Sequence, residues 1–198
     1  MNALFDQIPG YREAVNRESA VRDQSFLDLA EEICGLEVLP MTARHFLILD
    51  GIGSPFLLNA ADPVTGVAPA DVALFLWALS PDYSPSARWR RWRFIRSCRK
   101  LPFVRACCQI RRYVEDTFQD APASGDANGP SFYASVATLV DCFAREYGWA
   151  ERDILTMPLK RAFQYLRCIV KHRDPKATLF NPSDRVRGDW LARVNRKT

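Results

Sequence analysis

Between Arg88 and Arg112 the chain places ten Lys and Arg and no acidic residue. Such a stretch offers capture of an anion rather than bond-making chemistry, because guanidinium groups stay charged and fork onto carboxylate or phosphate oxygens. Arg88, Arg90, Arg91, Arg93, Arg96, Arg99 and Lys100 form its densest part, with Trp89, Trp92 and Phe94 set among them. Aromatic rings between arginines can stack on unpaired bases while the cations meet phosphates. The same rings can instead be core, with arginine stems lying over them as cover. The three-residue spacing of Trp89, Trp92, Ile95 and Cys98 reads first as a core-facing stripe.

Catalytic groupings do not emerge from the sequence. There is no P-loop lysine, paired-histidine zinc motif, GxSxG elbow or EF-hand loop. Glu31 and Glu32, like Glu115 and Asp116, are neighbours that point apart on a helix and do not make a two-carboxylate site. Gly51 and Gly53 lack a following lysine and a βαβ setting, so they read as a turn. His45 and His172 share no ligand spacing with Cys34, Cys98, Cys107, Cys108, Cys142 or Cys168, and most of these thiols read as small hydrophobes on helix faces. No catalytic residue, metal site or cofactor is therefore assigned, and the chain reads as a non-enzyme.

The elements that must hold the basic stretch are helical. Ser84 offers an N-cap and Pro85 suits a first turn. Leu101-Pro102 interrupts that helix and lets a second begin, which predicts a helical hairpin over Ser84 to Phe118. Arg12 to Ile33 reads as a half-buried helix stopped by Gly35, and Thr42 as the cap of a helix over Ala43 to Leu49. Pro69 to Leu79 has almost no polar face, so that helix belongs at the centre of a core or under a partner. Pro130-Ser131 starts an amphipathic helix ended by Gly148, a short turn follows Trp149, and Pro158 starts the next helix; Asn181 to Ser183 can cap a last one. The fold class expected is all-α, an irregular bundle of about seven to eight helices. Gln119 to Pro130, rich in Ala, Asp, Gly and Pro, reads as a linker between an N-terminal lobe, 1–118, and a C-terminal lobe, 131–198.

Charge alternates along the chain. Residues 1–82 are net −8, 83–112 net +10, 113–159 net −6 and 160–198 net +8. Either the acidic blocks fold against the basic ones, the first expectation, or the basic blocks meet an outside anion. The longest strongly apolar run, Val72 to Leu79, falls far short of the roughly 20 residues that span a bilayer. With no basic and apolar leader at its start, the chain is expected in a cytoplasm, without a membrane partner.

Gly148-Trp149, Asp153-Ile154-Leu155, Met157-Pro158-Leu159 and Phe163-Gln164-Tyr165-Leu166 resemble segments of small helical proteins of tailed bacteriophages and prophages associated with tail assembly chaperones. Pro55-Phe56-Leu57 and Asp71 to Trp77 resemble the same group. The resemblance implies a cytoplasmic assembly chaperone or adaptor that binds a helical client, such as a tape measure protein, or other tail proteins. From apolar density, the client surface is expected to join Trp77, Trp89, Trp92 and Phe94 to Phe163, Tyr165 and Leu166. The alternatives are a nucleic-acid-binding protein using the Arg and Trp stretch, and a structural component of the virion.

Overall fold

The computed structural model describes residues 9–24, 26–27, 29–57, 64–121, 132–173 and 175, the side chains of 18, 21–24 and 132–135 excepted. Among the described residues there are eight α-helices, one 3-10 turn and one two-stranded hairpin, so the all-α class holds. The chain divides into two compact units, Asp28–Phe163 and Met1–Leu27 with Gln164–Thr198. The stretch read as a linker falls within the limits of the larger unit, and its residues 122–130 lie outside the described ones. So does the last helix expected in 181–198.

The single helix expected from Arg12 to Ile33 is corrected. α1 covers Tyr11–Gln24, and Glu31–Ile33 (β1) pairs antiparallel with Leu36–Val38 (β2), Ile33 opposite Leu36. Cys34 and Gly35 between them take φ of 51° and 83°. Two positive φ values in a row suit the twist of a tight hairpin and cannot continue a helix. Gln109 clamps this turn, its side-chain oxygen accepting from the Cys34 backbone N–H and from the thiol, each at 3.0 Å.

In the larger unit Thr42 caps α2 (Ala43–Gly51) as expected. Its hydroxyl accepts from the His45 backbone N–H at 3.2 Å, and His45 Nδ1 accepts from the Thr42 N–H at 3.3 Å, a reciprocal capping box. The strand-like approach to α2 is tied to the far end of the sequence. Leu159 N–H donates to the Met41 carbonyl at 2.7 Å, and Thr42 bridges Pro158.

Pro55–Leu57 forms the 3-10 turn, and α3 (Pro69–Ala78) is central. Asp71 accepts from the Ala68 N–H at 2.7 Å and closes its first turn. Since α3 is apolar nearly all round, it can be covered on several sides at once, and α2, α4 (Arg88–Cys98) and α5 (Phe103–Phe118) pack on it. The Phe75 ring meets the edges of Phe56 at 5.3 Å and Tyr113 at 6.2 Å. The Tyr113 hydroxyl, buried, donates to the Leu39 carbonyl at 2.8 Å, and burial drives its pKa far above the ordinary value.

α6 (Phe132–Tyr147) ends where Gly148, at φ 66°, returns its N–H to the Ala144 carbonyl at 3.0 Å. Trp149 then folds back on Phe143 and Tyr147, with centroids at 5.6 and 4.6 Å. The short α7 (Glu151–Thr156) buries Ile154 and packs on α2 and α6. α8 (Leu159–Arg173) buries Leu159, Ala162 and Phe163 within the larger unit. In the other unit, Tyr165 meets the edge of Phe26 at 5.9 Å and Ile169 is buried.

Candidate binding surface on the fourth helix

α4 carries the basic patch, and its ends differ from the expected ones. Ser84 does not cap it; the helix opens after Ala87 with no side-chain cap. The Ser84 carbonyl instead accepts from the Ala87 N–H at 3.2 Å, and its hydroxyl lies 3.2 Å from that of Ser86. Pro85 thus stands second in a four-residue turn, where its fixed φ fits as well as in a helix start. α4 and α5 are not a packed hairpin either. Both lie on α3, and among the described residues the side of α4 away from α3 is exposed.

Phe94 and Cys98 face inward. The Phe94 ring lies 5.4 Å from that of Trp77, and burial raises the Cys98 thiol pKa. Trp89 and Trp92 face outward, 67% and 49% exposed, and this corrects their reading as a core stripe. Phe94 and Cys98 already satisfy the contact with α3, and residues three and four apart on one side leave the opposite side of so short a helix in solvent. The two indoles stack on each other, 5.1 Å between centroids and 19° between planes. The Arg96 guanidinium lies 5.3 Å from the Trp92 centroid. Trp89, Trp92 and Arg96 therefore make one stacked ridge along the outer side of α4.

Cations surround the ridge. Arg88, Arg90, Arg91, Arg93, Arg96, Arg99 and Lys100 are all exposed, and so is Arg105 on α5. The ion pairs seen among the described residues are Arg112 with Asp116, Arg145 with Asp141 and Lys160 with Glu31. None of these involves α4, although Arg112 of the same basic block reaches Asp116 and Lys160 of the last block reaches Glu31, so opposite blocks meet there and not on this helix. The helix is left with like charges three residues apart and cations in its first turn. Each like-charge pair costs about 0.2–0.5 kcal/mol, and cations at the positive end of a helix dipole cost about 0.3–1 kcal/mol. An anion bound on this face would relieve both.

The expected client surface is thus divided. Trp77 is only 3% exposed, between Tyr83 and Phe94, and Phe163 is 6% exposed against Phe118. Both are core of the larger unit, because α3 and the start of α8 are covered there. Tyr165 and Leu166 are half-buried and belong to the other unit. What remains is Trp89 and Trp92 with the seven cations. The part played by Arg96 as a stacking partner was not anticipated, although its place four residues after Trp92 was a usable signal.

The segments on which a phage-type identity was expected are framework. Phe56 and Phe75 are in van der Waals contact, Trp149 closes on α6, Ile154 is buried, and Pro158-Leu159 joins the approach to α2. Among the described residues no three His, Cys, Asp or Glu cluster as a metal would need, and no helix is long and apolar enough to cross a membrane. No family model, curated protein or solved structure matches this chain.

Proposed function

We propose that this protein is a cytoplasmic assembly chaperone or adaptor of the kind found with tailed-phage tails, which holds a helical client on the outer face of α4 and performs no catalysis. The observation that carries the proposal is the exposed Trp89–Trp92 stack, set in cations that have no carboxylate partner among the described residues. Two tryptophans held in solvent lose the burial that their size would otherwise contribute, and contiguous exposed apolar surface marks interaction sites. Tryptophan and arginine are also the side chains most often central to protein interfaces. The phage-like framework segments support the choice of an assembly client.

The test is affinity purification from the native host or lysogen, with and without nuclease, followed by mass spectrometry. Recovery of one long helix-rich protein, indifferent to nuclease, is the expected result. A second reading, binding of nucleic acid, is favoured by the predominance of arginine over lysine on α4. It would replace the first if nucleic acid were recovered and the protein partners were lost on digestion.

A further inference from the structure

The stack limits what can sit on α4. Trp92 is engaged within the helix by the Trp89 ring stacked at 5.1 Å and by the Arg96 guanidinium 5.3 Å from its centroid, which leaves it less ring surface for a base than a lone tryptophan would offer. Stacking of bases on aromatic faces is what gives sequence-tolerant binding of single strands its strength. Here the stacked rings form a continuous apolar crest, suited to packing between side chains. At roughly 100° per residue, Arg93 lies along one flank of that crest and Arg88 along the other, and the exposed Arg99 and Lys100 follow in the turn at the C-terminal end of the helix. Cations on both flanks of an apolar seam are the pattern by which paired helices choose an oppositely charged partner.

Resting on the client-binding reading above, we infer that the occupant of α4 is an acidic amphipathic helix, with an apolar stripe flanked on both sides by Asp or Glu. Its stripe packs along Trp89 and Trp92. Its carboxylates meet Arg93 on one side and Arg88 on the other, with Arg99 and Lys100 at the end of the helix. The 11 residues of α4 span about 16 Å, so about three turns of the partner are engaged. Charge complementarity supplies specificity and encounter rate, while burial of the crest supplies residence time.

The full chain can be titrated with a synthetic peptide of about three heptads, Leu at the a and d positions and Glu at the e and g positions. A second peptide carries Lys in place of each Glu, and an oligothymidylate of about 20 nucleotides probes nucleic acid. The Glu peptide is expected to bind, and to weaken at least about tenfold between about 0.05 and 0.5 M NaCl. The double variant Arg93→Glu with Lys100→Glu should lose at least about tenfold for the Glu peptide and gain affinity for the Lys peptide. That reversal separates a lost contact from a misfolded protein. Equal binding of both peptides by the unaltered chain, or tighter binding of the oligonucleotide, would overturn the inference. If the host client is captured through Trp89 and Trp92 but resists high salt, client binding stands and the acidic helix falls. If no host protein is captured, client binding itself fails, whatever the peptides do.

Discussion

Replacing Trp89 with alanine should leave the protein folded, and replacing Trp77 should not be tolerated nearly as well. A fully buried tryptophan removes roughly 150–250 Å² from water, so the covered third of Trp89 amounts to roughly 50–80 Å². At about 25 cal/mol per Å² that is worth about 1–2 kcal/mol. The figure is an upper bound, since an unfolded chain already covers part of the same surface. Alanine recovers up to about 0.5 kcal/mol through its better helix propensity. The expected net cost is about 1 kcal/mol. Trp77, 3% exposed and packed between Tyr83 and Phe94, should cost about 3–5 kcal/mol as a large-to-small core substitution. Urea titrations followed by circular dichroism would read both values from the shift in midpoint at constant slope. Equal losses at the two sites would refute the exposed ridge, because they would mean that Trp89 is packed in the folded protein.

His45 should make stability depend on pH. Burial, aided by the Arg44 charge and opposed by a hydrogen bond to Pro40, holds its pKa below the ordinary 6.5, and its neutral Nδ1 accepts the Thr42 N–H. The unfolded chain then takes up the proton first, so the contribution is complete above pH 6.5 and declines as pH falls through the window below it; His45→Gln should flatten that slope in denaturation midpoints. Tyr113→Phe leaves the Leu39 carbonyl without the Tyr113 hydroxyl and should cost about 1–3 kcal/mol by urea denaturation. A thiol reagent applied to the native protein should modify exposed Cys108 and Cys168 first, with Cys98 and Cys107 reacting only on unfolding, since burial raises both of their pKa values.

What could be read from the residues was local. The Thr42 cap, the Pro69 start of α3, the Gly148 terminator and the Pro158 restart each depend on a few neighbouring side chains, and each is present as expected. The hairpin at Glu31–Val38 was hidden because its strands carry glutamates and its turn is Cys34-Gly35 rather than an Asn-Gly or Asp-Gly pair. Exposure of Trp89 and Trp92 was hidden for another reason. A three-residue spacing looks the same whether a helix turns that side inward or outward, and only the docking of Phe94 and Cys98 toward α3 decides between them. The charge blocks carried no such information either, because adjacency of opposite charges in space is a tertiary property: Lys160 reaches Glu31, while no ion pair seen among the described residues involves α4. The basic residues themselves were legible, and all seven of the patch are exposed.

The most direct measurement of the central claim is a paired affinity purification from the native host, comparing the unaltered chain with a Trp89→Ala/Trp92→Ala variant of confirmed helicity. After nuclease treatment, one long helix-rich protein should be retained by the unaltered chain and lost from the variant. Retention of the same protein by both would contradict the placement of the client on the outer face of α4.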